Sequence, residues 1–298
     1  LTTIETPSGD LPRLDHAAAH LRMLIGGSAE VESERSADHG PLLRLRRSGV
    51  GARVLLIGHF DTVWPIGSWQ ELWRVEGGRA FGPGVCDMKG GVLFIVWLLR
   101  YLAEQGLEHP HIEAILNPDE EVGSPASRAA IEEAARRADV VLVLEPSTLR
   151  GDLKLARKGS GEYVVTVHGR ASHQGASPEL GVNSVVEAAR QVLRLIELED
   201  PAAGTTVGPN VISGGTASNV VPDCTELRVD VRAWTEAETK RLDAAIRGLR
   251  PAHAGSRIHV LGGWNRPPMA VSEGSLELFE GARILGRTLG LELEWVRW

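Results

Sequence analysis

Three stretches in the first half of the chain, Val54 to Gly58, Ile112 to Asn117 and Val140 to Leu144, are short and almost continuously apolar. Aliphatic runs of that length are expected of strands buried on both faces of a mostly parallel sheet. Between them the apolar residues recur at helical spacing. Lys89 to Gln105 is apolar nearly all round, and its Gly90-Gly91 pair predicts close packing against the sheet. Ser124 to Arg137 sets Ala and Ile among Glu and Arg, as an amphipathic surface helix does. Alternation of strand and helix up to about residue 150 implies an α/β fold, a mostly parallel sheet with helices on both faces.

The period changes near Lys158-Gly159-Ser160-Gly161. Glu162 to His168 alternates as a half-exposed strand, and Asn183 to Leu198 is a helical pattern with Asn or Ser available as its cap. Thr205 to Ser213 and Cys224 to Trp234 read as strands, Glu236 to Leu249 as a helix, and Arg257 to Leu261 as a last strand. The order βαββαβ is that of a ferredoxin-like sandwich. Gly262-Gly263 and Pro267-Pro268 mark an exit, and Gly274 to Leu289 resumes an apolar helix. The expected division is therefore residues 1–158 with 264–298 as one domain and 159–263 as an inserted module.

Composition narrows the function classes. The chain has 298 residues, 43% apolar and 24% charged, with a net charge of -7, so a core can form and no basic face is available for phosphates. A small molecule or peptide is the expected partner, not nucleic acid. The longest apolar run, Val92 to Leu99, is far short of the ~20 residues that span a bilayer. Cys86 and Cys224 are far apart and form no metal-type pair, which points to a reducing, cytoplasmic setting. The chain opens LTTIETPSGD, with no initiator Met and no signal segment, and is read as lacking its original start and any export signal with it.

Candidate chemistry gathers where apolar runs give way to loops. His59 and Asp61, two apart at the end of a strand, point to the same side; one can bind a metal ion while the other supports it, because a ligating imidazole usually donates its second N–H to a carboxylate. Asp87 precedes a helix and follows Gly82-Pro83-Gly84, so it is either a helix cap or a carboxylate bridging two cations ~3.5–4 Å apart. Glu120-Glu121, after Asn117-Pro118-Asp119, forms an acidic knot that repels itself without cations; one side chain can coordinate while its neighbour acts as general base. Glu145 is a further strand-end carboxylate. Hard oxygens plus imidazole suit zinc, with cobalt or manganese as substitutes. Trp64 and Trp69 either line a pocket or pack under a loop.

These motifs, VLLIGHFDT, FGPGVCDMKGG, LNPDEEVGS and VVLVLEPS, resemble those of the dinuclear zinc metallopeptidases and deacylases. That family includes aminoacylase, acetylornithine deacetylase, succinyl-diaminopimelate desuccinylase and glutamate carboxypeptidase, and the resemblance is nearest to the last. It implies a zinc-exopeptidase-like fold, with His59, Asp87 and Glu145 on one zinc, Asp87 and Glu121 on the other, Glu120 as base and Asp61 orienting His59. The segment Gly169 to Gly175 resembles the family's lid histidine loop, making His173 an oxyanion donor delivered across a dimer. Gly214 to Pro222 and the strand Leu227 to Arg232 imply that Asn219 and Arg232 hold a substrate carboxylate. Family members supply one more zinc histidine near their C-terminus, and no residue before Trp298 matches it, so the second site lacks a ligand within this chain and the missing histidine is expected beyond it.

The expectation is thus a metal-dependent hydrolase, a carboxypeptidase or N-acyl-amino-acid amidohydrolase with two zinc ions per subunit. It would cleave a peptide or N-acyl amide bond next to a free carboxylate, and dimerise through the exposed edges and the Asn183 to Leu198 helix of the inserted module. The alternatives are a deacetylase or desuccinylase of the acetylornithine type, and a non-catalytic dimeric binding protein with an incomplete metal site.

Overall fold

The three apolar runs become neighbouring strands of one sheet in a computed structural model that describes residues Leu1 to Trp298. Contacts divide the chain into two units, Leu1–Pro146 and Ser147–Trp298. The first contains α1 (Leu11–Ile25), β1 (Glu30–Ser36), β2 (Gly40–Arg47), β3 (Arg53–His59), the short hairpin β4 (Arg74–Glu76) and β5 (Arg79–Phe81), α2 (Gly90–Gln105), β6 (His111–Asn117), α3 (Arg128–Arg137) and β7 (Val140–Val143). The sheet order is β1-β2-β6-β3-β7. Its parallel part is the block β6-β3-β7, built from the three apolar runs. The β1–β2 hairpin extends it with antiparallel pairing, so the sheet is mixed.

Helices cover both faces. Leu14 and Leu21 of α1 and Val92, Ile95 and Leu99 of α2 pack with Leu43, Leu45 and Leu56 on one side, while Ala130 and Ala134 of α3 pack with Leu55 and Ile115 on the other. Each fully buried Leu or Ile contributes about 1.5–3 kcal/mol relative to exposure. Helix α1 begins at a cap in which the Asp10 side chain accepts from the Arg13 N–H, and it closes on Gly26 at φ 55°. The Gly90-Gly91 pair has the expected close contacts: a Cβ on Gly91 would stand 2.0 Å from the carbonyl oxygen of Leu144.

The second unit holds β8 (Leu153–Ala156), β9 (Gly159–His168), β10 (Ser172–His173), α4 (Ser184–Ile196), β11 (Thr206–Gly214), β12 (Val220–Val221), β13 (Cys224–Ala233), α5 (Glu236–Arg247), β14 (Arg257–Arg266), α6 (Glu273–Thr288) and β15 (Trp295–Arg297). Strands β9, β11, β13 and β14 form an antiparallel sheet in the order β11-β13-β9-β14. With α4 and α5 between them in sequence, this is the expected βαββαβ arrangement. The core joins Tyr163, Val165 and Val167 to Val229, Val231, Leu195, Leu242 and Ile246. Asn183 caps α4, its side chain accepting from the Val186 N–H.

Strand β15 pairs in parallel with β8, and α6 packs on β8. All three elements belong to stretches expected to complete the first domain. By contacts they fall instead within Ser147–Trp298, with β8 and β15 as a separate two-stranded sheet, because β8 finds its strand partner in β15 and runs directly on into β9. No helix is long and apolar enough to cross a membrane.

Gly91→Ala forces a methyl group onto backbone, which cannot move aside as a side-chain tip can. We expect a loss of about 3 kcal/mol, the upper range for overpacking, seen as a lowered thermal unfolding midpoint. An unchanged midpoint would contradict the close contact of α2 with Leu144.

Candidate metal centre

Pleat alternation along β3 sends Leu56 to the α1–α2 face and Leu55 and Ile57 to the α3 face, and His59 follows the parity of the latter two. The strand ends there, and the chain turns so that Asp61 meets the ring of His59. The imidazole Nδ1 lies 3.1 Å from the main-chain oxygen of Asp61 and 3.3 Å from its Oδ1. Asp61 is fully buried and accepts from three further donors: the Glu120 N–H on Oδ1 at 3.2 Å, and the Glu121 N–H and Ser8 hydroxyl on Oδ2 at 3.1 and 2.7 Å. One carboxylate therefore ties His59, the acidic loop and the N-terminal segment together.

The other nitrogen of His59 faces the remaining carboxylates. Nε2 is 3.0 Å from Asp87 Oδ1, 3.5 Å from Glu145 Oε1 and 4.0 Å from Glu120 Oε2. Asp87 belongs to a tight turn, Val85–Lys89, entered through Gly84 at φ 72°, whose absent side chain lets the turn close on Thr62. The peptide bond from Asp87 to Met88 is cis. Helix α2 then starts without a side-chain cap, so the cap reading of Asp87 is set aside. Glu120 and Glu121 are aimed by Asp119, which is buried and accepts from the N–H groups of Ala126 and Ser127 and from the Ser127 hydroxyl. That turn consumes residues 120–127, which is why α3 begins at Arg128 and not at Ser124 as its pattern suggests.

The electrostatics are those of a crowded anionic site around one ring. Burial alone would lower the pKa of His59, but hydrogen bonds to Asp61, Asp87 and Glu145, with the charge of Asp61, outweigh it and push it up to about 12. Burial, reinforced by the charges of Asp87, Asp61 and Glu120 against the pull of His59, raises Glu121 to about 7. Burial lowers Lys89 to about 8, opposed by Glu5 and Asp61. The raised values of His59 and Glu121 report a local excess of negative charge, which a bound cation would offset.

Two groups of side chains can each bring one donor atom within 4.8 Å of the others: His59, Asp87 and Glu121, and His59, Glu120 and Glu145. All six residues expected at the centre from the first half of the chain are thus together. The grouping differs from the implied ligand division: Asp87 falls with Glu121 as expected, but His59 is common to both groups and Glu120 joins the second. The donor set, carboxylate oxygens with an imidazole whose far nitrogen is held by Asp61, fits zinc.

The remaining expected residues lie in the second unit. His173 is exposed, and its Nδ1 accepts from the N–H groups of Gly175 and Ala176, both at 3.1 Å. That leaves Nε2–H as its outward donor. Asn219 is next to it, since the Gln174 N–H donates to the Asn219 carbonyl and β10 pairs with β12. Arg232 is on β13, its fork spanning both oxygens of Asp230 at 2.9 and 2.8 Å. A substrate carboxylate must displace Asp230 to take that fork. Trp64 and Trp69 pack edge to face at 5.3 Å and Trp64 stays exposed.

Three residues at the centre escaped the sequence reading. Ser8 was visible only as part of Glu5 to Asp10. Asp119 read as one more member of an acidic knot, although it turns inward. Lys89, fully buried, donates from Nζ to the Ile4 carbonyl at 2.8 Å; a lysine at the head of an apolar helix carried no such signal.

Fold and site define a class: a two-module α/β protein with a candidate carboxylate–imidazole metal centre on the first module and a βαββαβ second module. Residues 155–257 match the M20 peptidase dimerisation domain. Over 255 residues the chain is 38% identical to carboxypeptidase G2 of Pseudomonas sp. (strain RS-16), covering 81% of this chain and 60% of that protein. Over 260 residues it is 31% identical to acetylornithine deacetylase of Myxococcus xanthus, covering 81% and 66%. The aminopeptidase PepT of Bacillus cereus ATCC 10987 shares the fold, with a TM-score of 0.79 at 19% identity over 100% of this chain and 82% of that one. Residues 155–257 thus match a domain of M20 peptidases, and the chain as a whole is similar to a carboxypeptidase and to acetylornithine deacetylases. It spans 60% and 66% of the lengths of those two relatives.

Proposed function

We propose that the protein is a zinc-dependent hydrolase of a peptide or N-acyl amide bond next to a free carboxylate, of the carboxypeptidase kind. The observation that carries this reading is the division of labour at His59, with one nitrogen held by buried Asp61 and the other turned to three carboxylates. His59, Asp87, Glu121 and Glu145 would hold the metal, and two zinc ions are the proposed complement. When bound, zinc supplies Lewis acidity at the scissile carbonyl and for the activation of water. Glu120, its backbone fixed by Asp61, takes the proton from the attacking water on a carboxylate oxygen and returns it to the leaving nitrogen. His173 donates its Nε2–H to the developing oxyanion. Arg232, released from Asp230, and Asn219 hold the free carboxylate.

Identity to carboxypeptidase G2 above that to acetylornithine deacetylase favours the carboxypeptidase reading over the deacetylase one. Rates compared on peptides ending in glutamate and on acetylated amino acids test it; a preference for the latter overturns it. Glu120→Gln is expected to retain zinc while turnover falls by about 10²–10⁴. Wild-type rates in that variant would remove Glu120 from the base role.

The same reading includes a homodimer. Val186, Leu193 and Ile196 leave an apolar stripe on the outer side of α4, and the edge strand β11, on which α4 packs, exposes Val211 and Ile212. Leu193→Glu is expected to weaken the dimer by about 30-fold or more, read as a shift to monomer by light scattering. Unchanged dimer at low concentration would move the interface elsewhere.

A further inference from the structure

We infer that the N-terminal segment Ile4–Ser8 is a working part of the metal centre, with Ser8 a positioning residue that acts through Asp61. The inference rests on the metal reading above. Residues 4–8 run beside the loop that leaves β3. The Thr62 N–H donates to the Thr6 carbonyl at 2.8 Å, the Ser8 N–H to the Thr62 carbonyl at 3.2 Å, and the Thr6 hydroxyl to the Phe60 carbonyl at 2.6 Å. Further along, the Gly67 N–H donates to Glu5 Oε1 at 2.7 Å. The buried ammonium of Lys89, two residues beyond Asp87, donates to the Ile4 carbonyl. The strap thus grips the His59–Asp61 loop and the Asp87 turn at once.

Its side-chain contact with Asp61 is the Ser8 hydroxyl on Oδ2, at 2.7 Å the shortest of the contacts to that carboxylate. Oδ2 has just one other donor, the Glu121 N–H, while Oδ1 serves the Glu120 N–H and His59 Nδ1. Each oxygen of a fully buried carboxylate therefore has two partners, and this balance fixes the plane of the group. Without the hydroxyl, Oδ2 keeps one donor against two on Oδ1, and the plane of the carboxylate is held less firmly. Both its grip on His59 and its hold on the Glu120-Glu121 backbone then loosen. Groups that orient ligands in this way typically change metal affinity or activity by 10–100-fold when removed.

Ser8 is one bond further out, so Ser8→Ala is expected to weaken zinc binding by about 10-fold, the lower end of that range. Competition with a chromogenic chelator measures it, with circular dichroism and thermal melting as the check on folding. Turnover should fall through kcat with KM little changed, and Ser8→Thr, which keeps the hydroxyl, should restore both readouts. Zinc affinity in Ser8→Ala equal to that of the parent chain would overturn the inference while leaving the metal reading standing. A folded Ser8→Thr as weak as Ser8→Ala would also overturn it, since shape and not the hydroxyl would then be at stake. A parent chain that binds no zinc would overturn the metal reading and this inference together.

Discussion

A single buried negative charge organises the centre. Asp61 has no exposed surface, and an ionised carboxylate in that position is tolerable only when each oxygen is met by donors. Its partners come from three separate stretches of chain: His59 beside it, the backbone at Glu120 and Glu121, and Ser8. Removing the charge would release all three, so the placement of the candidate ligands follows from satisfying one group. The carboxylate ligands themselves are less buried and repel one another, and they could not hold this arrangement alone.

The sheet supplies the rest. Parallel strands β3, β6 and β7 end on the same edge, so the residues that follow them converge there, as ligand sites of open α/β sheets do. Close approach is bought with glycine: Gly84 lets the Asp87 turn settle against Thr62, and Gly91 lets α2 reach the end of β7 where Glu145 emerges. Packing on both faces of β3 and β6 makes their ends rigid, and rigidity is what a ligand set needs.

Much of this was legible in the sequence because β3, β6 and β7 each carry a nearly continuous apolar run; burial on both faces accounts for it in β3 and β6, whereas β7 is the edge strand and Val141, Leu142 and Val143 are exposed, against the expectation of a doubly buried strand. Three of the four motifs were legible for the same reason, each being a charge at the end of such a run, while Asp87 was marked by the glycines that flank its turn. The β1–β2 hairpin was not, since β1, EVESERS, is mostly exposed and carries no apolar signature at all. Helix α3 starts four residues late because Asp119 draws the intervening backbone into a turn, a local hydrogen-bonding choice that periodicity does not record. The roles of Ser8 and Lys89 were hidden for a deeper reason: their partners are 53 and 85 residues away, and nothing local marks a serine or lysine as packed against a candidate metal site.

The central claim is that the ring of carboxylates around His59 Nε2 is a metal site. Crystals grown with zinc, with anomalous differences collected on both sides of its absorption edge, test it most directly. The account predicts a zinc peak ~2.0–2.1 Å from His59 Nε2, flanked by carboxylate oxygens from the strand-end loops, with Asp61 still on Nδ1. A map with no peak at that position, although the zinc concentration saturates ordinary sites, would contradict it.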